Sequence, residues 1–155
     1  MMKKIYFDMD GTIANLYGTP DWLKHLIAEE ATPYAEAVPL IRFATFARYI
    51  HMLQSVGFTI GIISWLSKNA SLEYEEIVAE TKKEWLKKHL PSVKFDEIHI
   101  LPYGTPKEQV VCGNQNILFD DEERNRLAWE ENGAGVALDE THILDMLRWL
   151  YNENK

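Results

Sequence analysis

The sequence predicts an α/β domain of three layers, a parallel sheet of about five strands with helices over both faces. Short runs rich in β-branched and aromatic residues recur along the chain, as in Ile5-Tyr6-Phe7 and Phe58-Thr59-Ile60-Gly61-Ile62-Ile63. Between them lie longer segments whose apolar residues repeat every three or four positions. The strand runs are nearly continuous in hydrophobicity, the pattern of strands buried on both faces.

In order, the first strand spans about 3–8, and Asp21 to Ala31 reads as a short helix stopped before Pro33. A longer helix from about Leu40 to Val56 carries Phe43, Phe46, Ile50 and Leu53 on one face, with Gly57 as its terminator. The second strand covers 58–63 and ends at Ser64. From about Ala70 to Leu90 a charged amphipathic helix turns Tyr74, Ile77, Val78, Trp85 and Leu86 inward, and Pro91 closes it. Its Lys82-Lys83 and Lys87-Lys88 pairs sit among glutamates and read as a solvated face. Glu97 to Leu101 is the third strand. Thr105-Pro106-Lys107-Glu108 has the chemistry of a helix start, with Thr as cap, Pro at the first position and Glu three residues after the cap. Asn116 to Phe119 is the fourth strand, about Glu122 to Glu131 a helix, Gly135 to Leu138 the fifth strand and Thr141 to Tyr151 the last helix.

At 155 residues the chain suits one domain, residues 1–155, that buries roughly two-thirds of its unfolded surface. No repeat or linker divides it. The formal charge of −8 disfavours a nucleic acid polymer as partner, whereas a small anion remains compatible if a cation or lysine inverts the field locally. The single cysteine, Cys112, excludes internal disulfides and is expected to be a small buried hydrophobe. No apolar stretch reaches the length of a signal peptide or a membrane span, so a cytoplasmic protein without membrane contact is expected. The five histidines show no paired ligand spacing.

Asp8-Met9-Asp10-Gly11-Thr12 follows the first strand directly. Carboxylates two residues apart project to the same side of an extended chain, so one can attack while the other carries a proton. The plainer alternative is an Asx-turn in which both only cap a loop. Ser64, Lys107 and the pair Asp120-Asp121 fall at other strand ends or at a helix start, where ligands of open α/β sheets gather. Each has an ordinary structural role open to it, Ser64 as a turn or cap, Lys107 as a surface lysine and Asp120-Asp121 as caps of the next helix.

Taken in order, these four motifs resemble those of the haloacid dehalogenase (HAD) superfamily of phosphohydrolases, and the strand-helix rhythm extends the likeness over nearly the whole chain. The resemblance implies a Rossmann-like, HAD-like core and a phosphatase working through an aspartyl-phosphate. It assigns Asp8 as nucleophile, Asp10 as general acid then base, and Thr12 as the residue that holds the loop and positions Asp10. Ser64 would contact a phosphoryl oxygen, and Lys107 would supply fixed positive charge at the amino end of its helix. Lys82, Lys83 and Lys94 also lie between Ser64 and Asp120; the helix-start position selects Lys107. Asp8, the Asp10 carbonyl and one or both of Asp120 and Asp121 would hold Mg²⁺, the cation that oxygen ligands and a transferring phosphoryl group favour.

Asp10 favours phosphatase over dehalogenase, since a departing halide needs no proton. Cap segments common in the superfamily are nearly missing, which leaves a small lid at about 15–39 and an open site that would admit a bulky leaving group or be roofed by the second subunit of a homodimer. A weaker similarity to 5′(3′)-deoxyribonucleotidases makes a nucleoside monophosphate the favoured substrate among small phosphorylated metabolites; Tyr17, Trp22, Phe43 and Trp65 are available to stack on a base, with core packing as the plainer alternative, which Phe43 on its buried helix face already fits. The alternatives are a phosphotransferase or mutase of the same superfamily and a non-catalytic phosphate-binding domain.

Overall fold

The computed structural model describes residues 3–155. Five strands, β1 (Lys4–Phe7), β2 (Thr59–Trp65), β3 (Glu97–Leu101), β4 (Asn116–Phe119) and β5 (Gly135–Leu138), form one sheet in the order β3-β2-β1-β4-β5. Every pairing is parallel. The chain builds outward from β1 to β3 and then returns to the other side of β1 for β4 and β5. The carboxyl end of β1 therefore lies at the topological switch point, where an open α/β sheet leaves a crevice.

Alternation along the strands sends side chains to both faces. Ile5, Phe7, Ile60, Ile62 and Phe119 join one core, covered by α3 (Phe43–Ser55) and α6 (Ile143–Asn154) and by Trp85 and Leu86 of α4 (Leu72–His89). Tyr6, Ile63 and Leu118 face the opposite way onto Trp129 of α5 (Glu123–Glu131). Gly61 is required here: a Cβ would stand 2.8 Å from the Tyr6 ring, whose hydroxyl donates to Glu97 at 3.0 Å.

The expected strands appear in sequence order, and the helices differ from expectation in instructive places. The helix expected over Asp21–Ala31 is instead two short ones, α1 (Trp22–Ile27) and α2 (Thr32–Glu36). Pro33 opens the second instead of stopping the first, because a first-turn residue has no use for the missing N–H. The helix expected from Leu40 begins at Phe43, since the preceding chain is drawn back alongside the β1 loop by Leu40 N–H donating to Ile13 O. Around Thr105 there is only a short 3₁₀ turn, Lys107–Gln109; the Thr105 hydroxyl donates back to Pro102 O and caps nothing. Cys112 is exposed in the loop that follows, not buried as expected.

On α4, Ile77 is 53% exposed where an inward side chain was expected, and Lys82 is buried where a solvated one was expected. Tyr74, Val78, Lys82 and Leu86 recur every fourth residue and are all buried, so the lysine occupies the inward stripe itself. No described helix is long and apolar enough to cross a membrane.

The segment holding α1 and α2 is tied to α4 through polar contacts. Glu29 accepts from Ser71 N–H at 2.8 Å and from its hydroxyl at 2.9 Å, and Tyr74 donates to Glu30 O. α2 packs on α4, with Tyr34, Tyr74 and Val78 sharing a cluster, whereas α1 buries none of its residues.

Candidate active site

The loop leaving β1 winds tightly: Met9 O accepts from the backbone of Thr12, Ile13 and Ala14, and Gly11 N–H donates to Ala14 O. Gly11 has φ 81°, and a Cβ there would lie 2.3 Å from Asp121 Oδ2, so glycine is needed both for the turn and for the approach of the β4 loop. Asp8 N–H donates to Phe119 O, extending the β1–β4 ladder by one residue and bringing Asp8 beside Asp120.

Two buried lysines take three of the four carboxylates between them. Lys107 Nζ donates to Asp8 Oδ1 at 3.0 Å and to Asp120 Oδ2 at 2.7 Å. Lys82 Nζ donates to Asp10 Oδ2 at 2.8 Å, to Ser64 Oγ at 2.8 Å and to Trp65 O at 2.7 Å. Thr12 Oγ1 stands 2.9 Å from Asp8 Oδ2 and 3.2 Å from Asp121 Oδ1, and accepts from Asp121 N–H at 3.1 Å. It thereby ties the first motif to the last. Thr12 makes none of its hydrogen bonds to Asp10, whose Oδ2 accepts instead from Lys82.

Asp120 is fully enclosed. Its Oδ2 also accepts from Asn125, and its Oδ1 from Glu122 N–H in an Asx-turn. Neither aspartate of the pair caps α5, whose cap position is Glu122. Asn125, unremarked in the sequence, joins the site because it projects from the first turn of α5 back over the β4 end. Only its place soon after an acidic pair could have signalled it.

Oxygens of Asp8, Asp120 and Asp121 all lie within 4.8 Å of one another. Burial first, then repulsion from Asp8, pushes the Asp120 carboxyl up to about 6, despite its lysine. The same causes push Asp121 up to about 8. Burial also raises Asp10, although Lys82 works against it, and the two neighbouring carboxylates help hold Lys107 above its ordinary range. Fully ionised, four carboxylates around two ammonium groups would carry an excess of two negative charges, which is why protons are retained there. A divalent cation bound by oxygen fits that excess and those donors.

Lys107 reaches the cleft from a single 3₁₀ turn and not from the expected helix, and it is set by its bonds to Asp8 and Asp120. Ser64 departs from expectation. β2 continues through Trp65, so Ser64 lies inside the strand opposite Ile100, is 0% exposed, and meets Lys82 and not the cleft.

A cleft of about 600 Å³ opens over Asp8, Asp10, Lys107, Asp120 and Asp121. Beyond these its walls are largely aromatic and aliphatic: Tyr17, Trp22 and Leu23 from the segment that ends the β1 loop and enters α1, Trp65 and Tyr103 from the sheet side. Trp65 is braced by its indole N–H on Thr105 O, and Arg124 lies over both Trp65 and Tyr103, at 5.0 and 5.6 Å. Phe43 takes no part, packing between Phe46 and Trp85 in the core.

No protein-family model and no curated protein sequence matches the chain. Among solved structures, that of D,D-heptose 1,7-bisphosphate phosphatase from Burkholderia thailandensis is similar over 97% of both chains, with a TM-score of 0.52 at 11% identity. The chain thus has the fold of a known phosphatase, a five-stranded parallel, Rossmann-like sheet between helices.

Proposed function

We propose that the protein is a phosphatase of the HAD superfamily that hydrolyses a small phosphomonoester through covalent attachment of phosphorus to Asp8. The observation that carries this reading is the setting of Asp8: at the switch point of the sheet, lining the cleft, with Lys107 on one oxygen and Thr12 on the other. A carboxylate held from both sides is oriented for attack and cannot drift toward its acidic neighbours. The fold shared with a phosphatase supports it.

In the first step an Asp8 oxygen bonds to phosphorus as the bond from phosphorus to the leaving oxygen breaks, and Asp10 gives that oxygen a proton. In the second, Asp10 takes a proton from water as the water attacks phosphorus, returning Asp8 as carboxylate and releasing inorganic phosphate. Lys107 has one ammonium proton beyond its two carboxylate bonds, available to a phosphoryl oxygen. Asp8, Asp120 and Asp121, with the Asp10 carbonyl, would hold Mg²⁺. When bound, the ion would neutralise phosphoryl charge and draw the phosphate onto the site.

The leaving group we infer is a nucleoside. The aromatic side chains Tyr17, Trp22, Trp65 and Tyr103 that line the cleft offer a planar base surfaces to stack on. Hydrolysis is favoured over transfer to a second hydroxyl because the short lid leaves the cleft open to water.

Wild-type protein should release phosphate from p-nitrophenyl phosphate only with Mg²⁺, and Asp8→Asn should lower kcat by at least about 10³-fold, the loss of the nucleophile. Equal activity in the two proteins would remove Asp8 from the chemistry. A panel of nucleoside monophosphates and sugar phosphates should then show higher kcat/KM for the nucleotides.

A further inference from the structure

We propose that Lys82 is a positioning residue for proton transfer, fixing which oxygen of Asp10 meets the leaving group. The inference rests on the phosphatase reading above.

The two lysines differ in their hydrogen-bond capacity. An ammonium has three protons. Lys82 spends all three, on Asp10 Oδ2, Ser64 Oγ and Trp65 O, at 2.7 to 2.8 Å, and is 1% exposed. It retains nothing for a phosphate. Lys107 spends two. The first lysine therefore organises protein atoms, and the second is the one free to touch substrate.

Organisation follows at each acceptor. With Asp10 Oδ2 occupied, Oδ1 is the oxygen left to carry the mobile proton, and Asp10 lines the cleft. Ser64 accepts through Oγ, and the contact braces the lysine head from below the site. The Trp65 carbonyl is the last acceptor of β2, and its indole is a wall of the cleft. Lys82 thus links α4, the end of β2 and the loop after β1. The Tyr34 ring, with its centroid 5.2 Å from Nζ, closes the remaining side. Burying an ammonium on a helix otherwise packed by Tyr74, Val78 and Leu86 is costly, and the full set of partners offsets it.

A residue that serves Asp10 as proton donor matters in proportion to how badly the leaving group needs a proton. Kinetics should be measured for wild type, Lys82→Met and Lys82→Gln on two substrates, p-nitrophenyl phosphate, whose phenolate departs unprotonated, and phenethyl phosphate, whose alkoxide does not. The expected result is a fall in kcat/KM for phenethyl phosphate about 10²-fold greater than for p-nitrophenyl phosphate. The ratio of the two values is independent of the folded fraction, so a poorly folding variant still reports. Adding Lys82→Met to Asp10→Asn should change that ratio no further, since both act on one function. Equal losses on both substrates, or no loss on either, overturn the positioning role while leaving the phosphatase reading intact. A wild type inactive on both overturns the phosphatase reading itself.

Discussion

At the scale of single residues the site is a problem of excess negative charge. Asp8, Asp120 and Asp121 crowd together with Lys107 as their one buried cation. Carboxyls raised from 3.8 to about 6 and about 8 bind protons in the folded chain that the unfolded chain has already released. By linkage, the stability these two carboxyls contribute to metal-free protein is fully present below about pH 4 and is lost as pH climbs through about 6 and then about 8. On the proposed function Mg²⁺ would replace those protons, so the rise in melting temperature on adding it should be larger at pH 8 than at pH 5. Thermal melts at the two pH values, with and without the ion, check this; an equal rise at both would place the ion elsewhere. Lys82 shows what is hard to read at this scale. Its neighbours Glu80, Lys83 and Glu84 suggest solvent, and only its four-residue spacing from Tyr74, Val78 and Leu86 places it inward. A lysine in an apolar stripe is a visible signal of a buried ion pair, but its partner, 72 residues away at Asp10, is not.

Among elements, the strands were the most legible, because continuous apolar runs such as Ile60–Ile63 have one comfortable home in a parallel sheet. The turn at Lys107 was misread as a helix for want of length: capping residues at Thr105 and Glu108 mark a start, yet no apolar stripe follows before Gly113 to bury a helix. The segment proposed as a lid presents the reverse case. α1 buries none of its residues, with Leu23 54% and Ile27 76% exposed, and so contributes little to the core while lining the cleft. Trp22 rests edge-on against Tyr17, with ring centroids 5.0 Å apart. Trp22→Ala should therefore raise KM for a nucleoside monophosphate about tenfold, the value of one lost stacking contact, with the melting temperature nearly unchanged. Steady-state kinetics beside a thermal melt tests both halves, and an unaltered KM would remove α1 from substrate recognition.

For the whole molecule, strand order decides function more than any single motif does. Because β4 returns to pair with β1, Asp8 and Asp120, 112 positions apart in the sequence, end on adjacent strands with Lys107 between them. Four short motifs in a fixed order anticipated that convergence, since each falls at the carboxyl end of a strand or just beyond one. Their order could not disclose that Ser64 would lie within β2 and meet Lys82, a matter of one added strand residue. The central claim is covalent bonding of Asp8 to phosphorus beside a bound cation, and a crystal structure of the protein grown with Mg²⁺ and beryllium fluoride tests it most directly. The expected result is a beryllium trifluoride adduct on an Asp8 carboxylate oxygen, with Mg²⁺ held by Asp8 and by Asp120 or Asp121. Unmodified Asp8 with the fluoride bound on another side chain would contradict it.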